Sequence, residues 1–255
     1  MNAYIINLDS AHDRWKYVEQ HYGHCDLTVV RVAGVDGRTL ESPIENFNEG
    51  GYRRWHGQTK SVGQIGCYFS HLKCLQLFLS SSEEVAVIAE DDARPVPEIA
   101  DIVHAAQQYE CCWDILRLCG TNRLHAVAYA SLTKTYSIGV CYAKLCGTGA
   151  YAVNRQAAKV LLKQLTPMWL PIDHAIDKEW AYGLRASVVM PLPYSQLDNC
   201  FESQTLGKKI PWYQRYWTVT PYRIKNELQR AVHRHFTFQH AKRRARQMVN
   251  GASCS

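Results

Sequence analysis

Five consecutive apolar residues, Val85 to Ala89, run directly into three consecutive carboxylates, Glu90, Asp91 and Asp92. An unbroken apolar run of this length predicts a strand buried on both faces, as at the centre of an α/β sheet. Such a strand needs helices above and below it. Its carboxyl end is where open α/β sheets bind their ligands. Three adjacent carboxylates at that end repel one another and resist desolvation. Mg²⁺ or Mn²⁺, which favour one or two carboxylates together with phosphate oxygens, would relieve both problems. The local sequence therefore has two readings: a cation site for a nucleotide diphosphate, or a solvated acidic turn ahead of Pro95.

The rest of the chain supports the sheet. Tyr4 to Leu8 reads as a short buried first strand, followed by a helix near 11–22 with Ser10 as its cap and Asp13 completing a weak capping pair. A second strand is expected over Leu27 to Val32. Residues 34–60 hold five glycines and little periodicity, and read as a long irregular insertion. Ser61 and Gln64 form a capping-box pattern before a helix with Ile65, Tyr68, Phe69, Leu72, Leu75 and Leu79 on one face. A helix near 98–109 and strands at Trp113–Leu118, Tyr151–Val153 and Val188–Leu192 follow, with Asn154 capping a helix over Arg155–Leu165. Thr220 with Pro221 marks the start of a last helix, in which Ile224, Leu228, Ala231 and Val232 form a narrow apolar stripe among arginines.

The 255 residues suffice for a sizeable core, and 47% apolar with 20% charged residues excludes whole-chain disorder, collagen and coiled coil. The first nine residues lack the basic start and unbroken apolar run of a signal peptide, and nothing reaches the length of a membrane span. A cytosolic location is expected, and with it reduced thiols for the ten cysteines. Cys67, His71 and Cys74 share a helix face, which packing explains better than zinc.

Charge is unevenly placed. Residues 208–255 carry 11 Lys and Arg against the single acid Glu227, a net of +10, whereas residues 1–207 carry 18 basic and 22 acidic groups, a net of −4. The chain thus divides into an α/β domain, 1–207, and a basic aromatic and helical extension, 208–255. The extension calls for an anionic partner, a membrane surface or a nucleic acid. Trp212, Tyr213, Tyr216 and Trp217 at its start suit a membrane interface, or, with Tyr194, a stacking site for sugar rings.

Taken in order, Tyr4-Ile5-Ile6-Asn7-Leu8-Asp9 with Arg14, Arg31–Gly37, Gly63-Gln64-Ile65-Gly66-Cys67-Tyr68-Phe69-Ser70-His71, Glu90-Asp91-Asp92, Gly147–Val153 and Pro171-Ile172-Asp173 resemble glycosyltransferase family 25. That family groups lipopolysaccharide and lipooligosaccharide galactosyltransferases with collagen galactosyltransferases. The resemblance covers about residues 1–205. It implies a GT-A-like, Rossmann-like fold and a nucleotide-sugar donor, most often UDP-galactose. It further implies inverting transfer to a lipid-linked oligosaccharide, forming a β-1,4 linkage in lipopolysaccharide biosynthesis. The acidic triplet then resembles a D-x-D-type motif, with Glu90 and Asp92 as ligands of Mn²⁺ or Mg²⁺; Glu at the first position makes Asp92 the preferred ligand. A lipid-linked acceptor places the protein peripherally on the inner face of the cytoplasmic membrane, with no nucleic acid expected. The alternative class is a non-catalytic protein whose basic tail binds a membrane or nucleic acid.

The remaining candidates have two readings each. Asn7, Asp9 and Arg14 follow the first strand and are candidate donor contacts, although Asp9 and Arg14 also suit a surface ion pair. Asp91 joins this donor-binding set. Asp36 is a turn residue before Gly37 by its chemistry, and a uridine or ribose contact by resemblance. Ser70 and His71 are either core polar groups or neighbours of the donor. Inverting transfer needs a base for the acceptor hydroxyl. Asp173 and Asp177 are the candidates, four apart on one helix face. Asp173 is preferred because it matches the family's Asp after Pro-x, and its bland reading is a helix cap.

Overall fold

A computed structural model of the chain describes residues 1–196 and 207–249; Cys200 and the last residues of the basic segment lie outside that range. In chain order the elements are β1 (Asn2–Asn7), α1 (His12–Tyr22), β2 (Thr28–Ala33), α2 (Glu49–His56), α3 (Val62–Leu79), β3 (Val85–Glu90) and β4 (Ala93–Pro95). Then follow α4 (Ile99–Gln107), β5 (Ile115–Arg117), β6 (Ala126–Ser131), β7 (Ser137–Cys141), β8 (Ala150–Asn154), α5 (Arg155–Gln164), α6 (Ile172–Ile176), β9 (Ala186–Met190), β10 (Tyr194–Gln196) and α7 (Trp212–Val249).

Eight strands form one twisted sheet in the order β2-β1-β3-β8-β5-β9-β7-β6. The β2-β1-β3 half is parallel, β8 runs antiparallel between β3 and β5, and β9 is parallel to β5. This mixed α/β sheet buries both faces. Along β3, Ala86 and Ile88 join one core with Tyr4, Tyr68, Phe78 and Leu161, while Val85, Val87 and Ala89 join the other with Ile5, Val18 and Ile102. The two-residue period of the strand thus serves α3 and α5 on one side and α1 and α4 on the other.

Local chemistry explains where elements depart from expectation. Residues 34–60 are less irregular than their glycines suggest, because α2 forms there. Asn48 caps it by accepting from the Gly51 N–H at 2.8 Å, and Gly57 ends it in the left-handed region at φ 78°. Ser61 does sit at the N-cap of α3 but makes no capping bond; Gln64 instead accepts a hydrogen bond from the Tyr52 hydroxyl. Ser10 leaves the N-cap of α1 to Ala11, whereas Asn154 caps α5 as expected, accepting from Ala157 N at 2.8 Å. The β6–β7 hairpin was not foreseen, since the half-exposed Ala126–Ser131 carries no core alternation.

The basic segment is laid along the body. α7 begins at Trp212, well before Thr220, and runs 38 residues with Pro221 inside it. On its own inner face Val219, Ala241 and Ala245 are buried, and so are Arg230 and Arg234. Arg234 donates to Glu179 Oε1 at 2.8 Å and to the Cys141 and Ala143 carbonyls at 2.8 and 2.6 Å. The cysteines divide too. Seven of the described ones are free thiols, but Cys111 is disulfide-bonded, against the expectation of reduced thiols throughout.

Candidate active site

The parallel strands β1 and β3 end side by side, so the β1–α1 turn and the acidic turn after β3 face the same edge of the sheet. A cleft of about 670 Å³ opens there. Its wall combines the β1–α1 turn with Arg14, the loop at Val35–Arg38, the first turns of α3, all three acidic residues, Gly147-Thr148, and Pro171-Ile172-Asp173. Close backbone approach shapes one side of it. A Cβ on Gly66 would lie 2.3 Å from the Val35 carbonyl oxygen, and one on Gly37 would lie 1.8 Å from that of Val62. Ser70 fastens the same junction, accepting from Val35 N at 2.8 Å and donating to Gly66 O at 2.7 Å.

The three carboxylates have three different environments. Asp91 is anchored: Asn7 Nδ2 donates to it at 2.7 Å and Arg14 Nη1 at 3.1 Å. Asn7 in turn accepts from Arg31 at 2.7 and 3.1 Å. Burial still leaves the Asp91 carboxyl above its ordinary range, with Asn7 and Arg14 offsetting only part of the cost. Glu90 accepts from Thr148 Oγ1 at 2.8 Å and lies 3.5 Å from His71 Nε2. Burial pushes Glu90 up, but His71 and then Thr148 outweigh it and hold the carboxyl below its usual range. His71 does not line the cleft; it is buried behind Glu90, with Nδ1 3.2 Å from the Tyr151 hydroxyl.

Asp92 is the outlier. Its Oδ1 is buried with no hydrogen-bond partner, and burial, then Glu90 and Asp91, push its carboxyl up to about 7. An orphaned carboxylate oxygen among hard oxygen donors fits a divalent cation of the Mg²⁺ or Mn²⁺ kind. Asp92 and Glu90 are the residues that would hold it. Cys67, His71 and Glu90 also bring ligand atoms within 4.8 Å of one another, whereas Cys74 is core.

In the same cleft, Asp173 stands in the first turn of α6, partly exposed, with His174 Nε2 3.8 Å from its carboxylate. The His174 ring meets His56 edge-on at 5.1 Å. Neither ring nitrogen of the buried His56 has a partner, and burial, then His174, pushes its pKa down to about 3. Asp177 does not share the cleft with Asp173. α6 stops at Ile176, and Asp177 turns inward to Arg117 Nη1 at 3.0 Å and the Cys146 N–H at 3.1 Å. Burial raises its carboxyl, but Arg117 and then Arg234 prevail and hold it below the usual range.

Asp177 therefore has the geometry of a strut. Asp177→Asn is expected to cost about 3–5 kcal/mol, because it strands a buried Arg117. Its folded pKa lies below the unfolded one, so this stabilisation is complete above about pH 4 and disappears as pH falls through the folded value. Denaturant melts of the two proteins should accordingly differ at neutral pH and converge in acid.

Three expected donor contacts stand apart from the cleft wall: Asp9 is exposed beyond the first strand, Asn7 is buried as the holder of Asp91, and His71 is buried behind Glu90. Asp36 does line the cleft, paired with Arg38 at 2.6 Å; that hydrogen bond brings its carboxyl down to about 2. Thr148, Arg117 and His174 were not foreseen. Gly147-Thr148-Gly149 was visible as a turn, but the partner of its hydroxyl, Glu90, is 58 residues away.

The family model for "Glycosyltransferase family 25 (LPS biosynthesis protein)" matches residues 1–176. A glycosyltransferase 25 family member from Aedes aegypti is 25% identical over 186 residues, covering 69% of this chain and 30% of the relative. One from Anopheles gambiae is 26% identical over 101 residues, covering 38% of this chain and 17% of the relative. The chain thus spans less than a third of the length of the curated relatives it matches. Among solved structures, A197 from STIV overlays with a TM-score of 0.43 at 13% identity, covering 83% of this chain and 95% of that one. With the family model spanning more than half of its residues, the acidic turn and all of the cleft's lining but Gln196 included, the chain belongs to glycosyltransferase family 25.

Proposed function

We propose that the protein is an inverting glycosyltransferase that moves a hexose, galactose from UDP-galactose, to a hydroxyl of a lipid-linked oligosaccharide of the lipopolysaccharide class. The observation that carries this reading is the pairing, in one cleft, of an acidic turn holding the unpartnered Asp92 oxygen with a separate carboxylate, Asp173, on α6. A diphosphate belongs beside the acidic turn, where a bound divalent cation would neutralise the charge that develops as UDP leaves. Asn7 and Arg14 hold Asp91 and so fix the β1–α1 turn on which the nucleotide would rest. Thr148 and His71 orient Glu90.

Asp173 takes the proton of the acceptor hydroxyl as its oxygen attacks the anomeric carbon. The new C–O bond forms on the face opposite the breaking bond to the phosphate oxygen, so an α-linked donor gives a β-linked product. A β-1,4 linkage is the expected form. Arg14, within the donor end, and Asp36 with Arg38, at the rim, supply polar contacts for the nucleotide. The test is transfer from radiolabelled UDP-hexoses, with Mn²⁺, to isolated lipooligosaccharide. UDP-galactose is expected to be consumed with a β-anomeric product. An α-anomeric product, or no transfer from any UDP-hexose, overturns the reading.

A further inference from the structure

α7 reverses the usual arrangement of an amphipathic helix. Arginines 230 and 234 face the body, where Glu179 and two carbonyls receive Arg234, while eight of the helix's large apolar and aromatic residues are exposed. Trp212, Tyr213, Tyr216, Trp217, Ile224, Leu228, Val232 and Phe236 are all exposed, with Trp212 at 79%, Trp217 at 76%, Leu228 at 65% and Phe236 at 67%. From Ile224 onward they recur every four residues, so Ile224, Leu228, Val232 and Phe236 form a ridge, which at about 1.5 Å per residue extends roughly 18 Å. A contiguous exposed apolar ridge of this size marks an interaction surface.

The charge beside the ridge identifies the occupant. Lys225 flanks it, and it continues into the exposed Lys242, Arg243 and Arg246. The single acid of the segment, Glu227, is held by Arg230 at 2.5 Å. Two such faces would bring like charges together, which disfavours self-association. RNA would engage the cations but has no use for an aliphatic ridge. An apolar row with aromatics at one end and cations at the other matches an anionic bilayer surface, with the helix lying in the interface plane.

The aromatic end of α7 also abuts the acceptor side of the cleft. Gly57 closes against Val219 and Arg215, one residue after His56, whose ring meets His174 beside Asp173. Tyr222 packs on Trp55 at 4.7 Å and accepts from Lys178 Nζ at 3.0 Å.

We propose that the outward ridge of α7 is an in-plane docking surface for an anionic lipid bilayer, which presents the Asp173 end of the cleft to acceptors held in that bilayer. This deepens the transferase reading by naming the surface on which the acceptor is met. Docking depends on apolar insertion as well as charge.

The test measures the full chain, without donor or acceptor, by sedimentation with vesicles of phosphatidylcholine mixed with phosphatidylglycerol and with phosphatidylcholine alone. Tryptophan quenching by brominated lipids is read in parallel. The wild type is expected to bind the anionic vesicles, with Trp212 and Trp217 quenched. Leu228→Glu and Phe236→Glu together should weaken binding by about tenfold or more, leaving melting temperature and transfer to a short soluble acceptor unchanged. The proposal is overturned by any of four results: no vesicle binding at low salt; binding that the double variant leaves intact; a dimer in sedimentation velocity that the double variant dissolves; or RNA competing the protein off vesicles. Because no sugar is present, failure here leaves the transfer assay untouched, and a failed transfer assay leaves this result standing.

Discussion

Asp92→Asn is expected to reduce sugar transfer by at least two to three orders of magnitude while the protein melts no lower than wild type. The loss follows from charge. A cation at the acidic turn would supply several kcal/mol of stabilisation to the departing diphosphate, and each ~1.4 kcal/mol is a tenfold rate factor. An amide keeps the size of the carboxylate but offers one weakly donating oxygen in its place. The preserved stability follows from burial: Oδ1 of Asp92 has no partner, and Glu90 and Asp91 crowd it, so the native fold gains little from this carboxylate. Measured turnover over a range of Mn²⁺ and a thermal melt of the same preparation separate the two effects. Near wild-type turnover at low Mn²⁺ defeats the assignment. So does a large drop in melting temperature, which would make Asp92 a structural group. Asp91→Asn should behave in the opposite sense, loosening Asn7 and Arg14 and lowering stability before it affects any cation.

The contrast between Asp91 and Asp92 marks what a one-dimensional reading can reach. The apolar run ending in three acids located the centre of the sheet and the edge at which the cleft opens. It could not apportion the acids, because the groups that anchor Asp91 are 84 and 77 residues away, at Asn7 and Arg14. The Gly63–His71 segment was visible as a helix, but its glycines have a reason that only the fold supplies. Gly66 lets the backbone of the 35–37 loop approach α3, and Ser70 then fastens it. Helix α2 was hidden by Gly50 and Gly51, which lower helix propensity; the Asn48 cap and the burial of Tyr52 override that preference.

α7 shows a different limit. Its apolar periodicity was plain, but periodicity does not say which face is inside. The sequence places Ile224, Leu228 and Val232 on a stripe, and the ordinary inference is that the stripe packs. Here the body offers Glu179 and the Cys141 and Ala143 carbonyls at the contact, so arginine is the better fit on the inner face and the stripe is left outward. Pro221 looked like a helix start because proline is tolerated there. Within a helix it removes one hydrogen bond, and at this position the freed carbonyl belongs to the exposed Trp217, where water can take the donor's place.

Asp173→Asn is expected to lower turnover by about 10²–10⁴, the usual span for loss of a general base, while UDP affinity and melting temperature stay close to wild type. The donor-side prediction rests on position. Asp173 is on α6, an element separate from the acidic turn, and the His174 ring lies 3.8 Å from its carboxylate. The stability prediction rests on exposure: the carboxylate is partly solvated, and an amide costs such a site little. Asp177 supplies the control. It is the same residue type four positions on, yet it is fully committed to Arg117 and the Cys146 N–H, so Asp177→Asn should lose stability first and activity only as a consequence. Activity measured well below each variant's melting temperature, alongside UDP binding by calorimetry, separates the two aspartates. If UDP affinity collapses with turnover in Asp173→Asn, the residue belongs to the donor site. If folded Asp177→Asn is inactive while Asp173→Asn turns over normally, the proton leaves the acceptor by another route, and the cleft wall at α6 is a frame with no chemistry of its own.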